Sequence, residues 1–355
     1  MHLRLNKRMR RQIAYPALFA LLLTTAIAGC QREPSPESRG IISFSVSSVA
    51  VSAEETKVDD GKPHGESYLI QTTTPARLFG RYTETGSTTS VQLFEGVSLS
   101  CTDVTGNIWT YTPSRYWAQN GFHDFCAVFP LKGSGQSYDL STNTLTISDY
   151  SMEGGYDLMV ASAQQDAATR GSDKITLPFV HANSAVRICF KDANGANIDP
   201  DYEITSLELR NLQTSSTLTY TGVSGTTPAS IAWSTGTREA TAYTWTASTA
   251  DPAVAVTPAT GEEYVTFKDW FYVVPQALVV AGEEGDVHTT LTFTYKAKTG
   301  GASQEFETSF NLDTGSTNAW VRGNAYTYYV TIHRETISLS VEWTDWETGQ
   351  SFDLN

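Results

Sequence analysis

The sequence predicts an all-β chain built from two tandem β-sandwich domains, and three observations carry that expectation. Short runs of β-branched and aromatic residues recur with period-two alternation, separated by turn residues. Only 17% of the 355 residues are charged and 26 are Gly, a balance that suits short strands joined by polar turns better than surface helices. The length exceeds what one hydrophobic core ordinarily fills, so two modules fit.

The elements follow in chain order. Arg4, Lys7, Arg8, Arg10 and Arg11 precede an apolar segment from Ile13 to Ile27, and Ala28, Gly29 and Cys30 follow it. That order of positive, apolar and small residues is a secretory signal, expected over residues 1–29. Its roughly 15 apolar residues are too few for a comfortable membrane span. The Cys behind the small residues resembles a bacterial lipobox, which makes Cys30 the expected lipidation site and its lipid the expected attachment to the cell outer membrane. Residues 30–40, rich in Pro, Ser and Glu, read as a flexible tether. When the five basic groups leave with the signal, the formal charge of −14 becomes −19. A surface so negative repels phosphate backbones, and nucleic acid is not an expected partner.

An N-terminal domain is expected over residues 41–173. Its predicted strands are Ile41–Val51, Ser67–Gln71, Val91–Leu99, Trp109–Thr112, His123–Phe129, Thr144–Ile147 and Asp157–Ala161. Gln164 to Lys174 lacks apolar positions and marks the expected boundary. A C-terminal domain over 174–355 resumes the pattern at Ile175–Lys191, Ile204–Asn211, Ser216–Tyr220, Ala242–Ala247, Tyr264–Val274, Val287–Lys296, Glu305–Leu312, Ala325–His333 and Ile337–Trp343. Asn194 and Gly195 read as a hairpin turn. Cys101 and Cys126 each lie in a β-like run and are candidates for a disulfide if their strands are neighbours. The alternative is a buried free thiol acting as a small hydrophobe.

Signatures of catalysis are missing. No HExxH, CxxC pair, GxSxG or GxxxxGK[ST] occurs in the sequence. Glu262–Glu263 and Glu283–Glu284 stand beside Gly in turn-like contexts, whereas glycoside chemistry needs two carboxylates fixed in a cleft. No enzyme activity, no metal and no cofactor is expected.

The aromatic landmarks carry a resemblance. Trp109, Tyr111 and Pro113, followed by Arg115-Tyr116-Trp117 and then His123 to Pro130, resemble the stretch W-x-Y-x-P…YW…(Y/F)-x-F-x-A-x-(Y/F)-P of the fimbrillin family. Asp157-Leu158-Met159-Val160-Ala161 is similar to its D-L-L-x-A strand, and Phe179-Val180-His181-Ala182 to its F-x-H-A strand. Phe271 to Gln276 resembles the apolar run ending P-Q, and Trp320 to Tyr328 the W-x-x-G-x-x-Y-x-Y strand. The resemblance covers nearly the whole chain beyond the tether.

What the resemblance implies is specific. Family members are lipoprotein precursors of type V pili with two transthyretin-like β-sandwich domains. They are cut after a basic residue on the outer membrane, lose the first strand, and receive a C-terminal strand of a neighbouring subunit in the groove that opens. Strand exchange of that kind supplies ladder hydrogen bonds and apolar pockets together. Ile42, Phe44 and Val46 alternate as an inward-facing set suited to such a first strand. Ile337, Leu339, Val341 and Trp343 alternate likewise, either as the donor or as an ordinary strand of their own domain. Arg39, Lys57 and Arg77 are the candidate processing sites; Arg39 precedes the first strand, so a cut there frees the lipid and leaves the strand.

The expected function is therefore a fimbrial subunit, or an accessory or anchor subunit, assembled with other fimbrial subunits into a homo- or heteropolymer. It would be surface-exposed and mediate attachment. The rival expectation is a monomeric surface lipoprotein that binds glycan or host protein, marked by an exposed row of aromatic residues in the second domain.

Overall fold

The computed structural model describes residues 40–48, 69–70, 74–131, 135–153, 155–171, 174–193, 201–257, 262–282, 285–314, 317–333, 336–345 and 351–354. The signal segment, the tether as far as Arg39 with Cys30 in it, Lys57 and the Asn194–Gly195 turn lie outside these residues. The first half holds β1 (Phe44–Ser48), β2 (Ala76–Thr83), β3 (Ser90–Asp103), β4 (Ile108–Thr110), β5 (Phe122–Phe129), β6 (Gln136–Asp139), β7 (Thr144–Ser151), β8 (Met159–Asp166) and β9 (Ile175–His181). The second holds β10 (Ser184–Asp192), β11 (Asp201–Arg210), β12 (Ser215–Thr221), β13 (Ser230–Trp233), β14 (Tyr243–Thr246), β15 (Val254–Ala255), β16 (Val265–Val273), β17 (Gln276–Ala277), β18 (Val279–Val280) and β19 (Val287–His288). It continues with β20 (Thr290–Thr299), β21 (Ala302–Asn311), β22 (Ala319–Trp320), β23 (Asn324–Ile332), β24 (Ile337–Asp345) and β25 (Ser351–Leu354). The chain is all-β as the alternation predicts. Ser67–Gln71 departs from its expectation, since Leu69 and Ile70 are helical.

Seven strands close into a barrel in the order β1-β4-β3-β2-β5-β8-β9, sealed by parallel pairing of β1 with β9. Inside it lie Phe44, Phe94, Trp109, Phe125, Phe129, Leu177 and Phe179, all buried. Gly80 in β2 makes room for this packing, because a Cβ there would stand 2.9 Å from the Phe94 ring. The other side of the barrel wall is also covered. Cys126, Val128 and Val160 face a four-stranded sheet of order β13-β12-β7-β6, which explains why β5 reads as a continuous apolar run and not as a clean alternation. Under that sheet Arg81 donates from Nε to Asp124 Oδ2 at 2.8 Å and from Nη1 to the carbonyls of Leu140 and Ser141 at 2.7 and 2.8 Å.

Beyond the barrel, a sheet of order β16-β10-β23-β24-β25 packs on one of order β14-β11-β20-β21, with Ile188, Phe190, Phe267, Phe293, Trp320 and Tyr328 buried between them. The boundary expected between 173 and 174 needs correction, because β9 lies past it and yet pairs with β1 and β8 of the barrel. Gln164–Asp166, read as part of a linker, belong to β8. The expected hairpin after Phe190 is corrected too: β10 and β11 lie in different sheets.

The proposed disulfide is a further correction. Cys101, Cys126 and Cys189 are all free. Cys101 sits in β3 and Cys126 in β5, with β2 between them in the barrel order. They also belong to opposite sides of the wall, Cys101 packing on the barrel interior and Cys126 on the outer layer. A disulfide needs Cβ atoms within about 4.5 Å on converging vectors, which opposite faces do not offer. Burial pushes the Cys126 thiol up to about 12, so it behaves as a small hydrophobe.

Candidate functional site

The alternation Ile42, Phe44, Val46 turns every second side chain of the first strand into the barrel, where all three are essentially fully buried. Burial of these three side chains contributes on the order of 5–9 kcal/mol. The Phe44 ring meets Phe125 at 5.1 Å, Tyr111 at 5.7 Å and Phe94 at 6.0 Å, each edge to face. The polar partners, Ser45 and Ser47, face outward, and Ser45 Oγ lies 3.1 Å from Thr176 Oγ1.

The two seams of β1 differ. On one side a parallel ladder runs from Phe44 opposite Ile175 to Ser48 opposite Phe179. On the other, the ladder to β4 has one register pair, Phe44 opposite Trp109. Side chains complete that seam. Asn107, in a left-handed turn with φ 45°, accepts the Val46 N–H on Oδ1 at 3.1 Å and donates from Nδ2 to the Val46 carbonyl at 2.6 Å. Its amide thus stands in for a missing strand neighbour. Tyr111 donates its hydroxyl to the Ile42 carbonyl at 2.7 Å, and the Ile42 N–H donates to the Arg115 carbonyl at 2.9 Å.

The quoted motifs sort themselves by place. Trp109, Tyr111, Arg115 and Trp117 form the wall and end of the β1 slot, and Leu177-Pro178-Phe179 is its floor strand. His181 Nδ1 and Asp157 Oδ1 meet at 2.8 Å, buried where the chain passes from the barrel to the second core. Trp320 donates from Nε1 to the Tyr328 hydroxyl at 3.0 Å inside that second core. Asn107 was missed by sequence reasoning; the signal was Gly106-Asn107 after an aspartate, a turn able to hold positive φ.

The candidate donor set sits otherwise than a free donor would. Ile337, Leu339, Val341 and Trp343 lie in β24, with β23 on one side and β25 on the other, and pack on the second core. As a donor this strand must first leave its own sheet. Arg77 also needs correction as a processing site: it lies inside β2, opposite Ser98 of β3 and Val128 of β5, so its backbone is enclosed by ladders on both sides. Among the described residues no cluster of His, Cys, Asp and Glu is arranged to hold a metal.

Two places in the second half bear on glycan binding. On the outer face of the β10 sheet, Arg187 covers the Trp270 ring at 4.5 Å and Lys191 covers Tyr264 at 4.9 Å, so those ring faces are already taken. At the open side of the sandwich, Tyr202, Tyr295, Phe306, Phe310 and Ile337 line a groove of about 860 Å³ beside the free edge of β21.

Comparison with known proteins fits this architecture. The fimbrillin-like family matches residues 67–346. A fimbrial protein from Bacteroides vulgatus is similar in fold, with TM-score 0.55 at 14% identity over 86% of this chain and 99% of its own. A candidate cell adhesion protein from Bacteroides uniformis aligns with TM-score 0.48 at 17% identity over 88% of this chain and 100% of its own. No curated protein matches. The family match spans well over half of the sequence, and the chain belongs to the fimbrillin-like family.

Proposed function

We propose that this chain is a structural subunit of a fimbrium, exported, lipidated at Cys30 on the cell outer membrane, and joined to other fimbrial subunits by β-strand exchange to mediate attachment. The observation that carries the reading is the β1 slot, a complete apolar cleft filled by one short strand whose partners in the ladder are far away in sequence. Each half is read as a transthyretin-like module, the barrel with its covering sheet and the second sandwich. A cut at Lys57 separates β1 from β2 in the covalent chain. While the link is intact, β1 competes from a high effective concentration and keeps its slot; once it is cut, that advantage is lost to any matching strand. The donor is the C-terminal segment of a neighbour, with the edge strand β25 leaving its four-residue ladder first and β24 after it.

Limited trypsin digestion of the purified precursor, followed by N-terminal sequencing and native gels, tests this. High-mass ladders are expected only from chains whose new N-terminus lies beyond β1. A trimmed chain that stays monomeric overturns the proposal. The groove beside β21 favours a second reading, a monomeric surface lipoprotein that holds glycan or host protein there; that reading expects the trimmed chain to remain single.

A further inference from the structure

We propose that the Tyr111–Ala118 segment is an acid-sensitive latch that holds the first strand in the barrel, and that charging His123 opens it. The inference rests on the reading of β1 as a strand that leaves its slot, and it concerns how that departure is controlled.

The segment binds the entrance of β1 at four points. The Trp117 N–H donates to the Gly40 carbonyl at 3.3 Å, Ile41 bridges to Tyr116, and Ile42 is held by the Arg115 carbonyl and the Tyr111 hydroxyl. Beneath the far end of the segment lies His123, fully buried. Its ring sits 4.8 Å from Trp117 and 5.0 Å from Tyr82. Its Nε2 accepts the Ala118 N–H at 3.3 Å, which requires the neutral imidazole with the proton on Nδ1. That Nδ1 is buried and has no partner.

The titratable and charged groups facing the ring are Tyr82 from β2 and Arg170 from the connection after β8, the guanidinium of Arg170 lying 5.3 Å over Trp117. Among the described residues no carboxylate pairs with the imidazole. A proton taken from solvent must therefore go to Nε2. There it replaces the acceptor of the Ala118 N–H with a second donor, and it sets a buried positive charge near Arg170. Both effects push Trp117 and Ala118 off the barrel end, and the four holds on Gly40–Ile42 go with them.

Burial, and secondarily Arg170, lowers the imidazole to about 4 from its ordinary 6.5. The sign follows: a histidine whose folded value is depressed is fully stabilising above 6.5 and loses that contribution as pH falls toward 4. If the latch is the first part to yield, opening of β1 at pH 5.0 is favoured about 30-fold over pH 7.5.

Phe keeps a flat aromatic ring against Trp117 and Tyr82 but takes no proton, which makes His123→Phe a conservative control. Amide protection factors of residues 42–48 are compared with those of β10 and β23 by hydrogen exchange in the intact monomeric chain at both pH values. β1 protection is expected to drop about 30-fold relative to the other strands, and to stay level in H123F. A uniform loss across all strands, an unchanged β1, or an equal drop in H123F overturns the latch. Should H123F fail to fold, Arg170→Gln gives the same information: without the neighbouring positive charge the closed latch tolerates the charged imidazole better, so the fall in β1 protection between pH 7.5 and 5.0 is expected to be smaller than in the native chain, and an equal or larger fall overturns the proposal. The readout needs no second subunit, so failure here is distinct from failure of strand exchange.

Discussion

Phe44→Ala is expected to cost about 3–5 kcal/mol, a large fraction of the stability of an ordinary domain. The ring is 0% exposed and is enclosed by Phe94, Tyr111 and Phe125, so its removal leaves a cavity whose walls belong to different strands and cannot collapse together. Urea unfolding followed by tryptophan fluorescence reads the loss. Val91→Ala serves as control, since Val91 is 57% exposed and its truncation is expected to change stability by no more than about 0.5 kcal/mol. Equal effects at the two positions would mean that β1 is not part of the cooperative barrel.

Asp124→Ala is expected to be as damaging, about 3–5 kcal/mol, by a different cause. Asp124 accepts from Arg81 Nε at 2.8 Å and from Gln164 Nε2 at 2.6 Å, and the two side chains of the ion pair are only 9% and 2% exposed. Taking away the carboxylate leaves a buried guanidinium without its counter-charge. Replacing both partners by apolar residues, as in Arg81→Met with Asp124→Leu, is expected to recover most of the loss, because the desolvation of both charges is then avoided. The same urea titration distinguishes the outcomes: if single and double variants are equally unstable, the pair acts through the Leu140 and Ser141 carbonyl contacts of Arg81 and not through charge.

The sequence made the β class and the buried face of β1 legible because both are local. Period two places Ile42, Phe44 and Val46 on one face whatever they pack against. It does not say what that partner is, and β1 pairs with β9 across more than a hundred residues, a contact without any local trace. The same limit leaves the sequence reading of β24 open between a donor and an ordinary strand of its own domain. Its alternation is real, but the face it buries is that of its own sandwich. β2 escaped notice altogether. Arg77 and Arg81 interrupt its apolar pattern, and partners far away in sequence, the Asp124 carboxylate and the Leu140 and Ser141 carbonyls, explain how Arg81 is tolerated inside. With no strand expected over β2, Arg77 stands in the sequence as a candidate processing site, although ladders enclose it on both sides. The polar run Gln164–Asp166 suggests a linker for a similar reason, since the half-buried Gln164 donates to Asp124 of a neighbouring strand, a partner with no local trace. Cys101 and Cys126 are both in strands as expected, yet strand membership alone leaves face and neighbour undetermined.

The account turns on whether the barrel can give up β1 and take an equivalent strand. A chain beginning after Ser48 offers the direct measurement, with a labelled synthetic peptide of residues 40–48 as the probe and fluorescence anisotropy as the readout. Saturable binding is predicted, abolished when the peptide carries Ala for Phe44 and absent for the full-length chain whose slot is occupied. A truncated chain that ignores the peptide while keeping a folded second sandwich, or one that binds the Phe44→Ala peptide equally well, would contradict it.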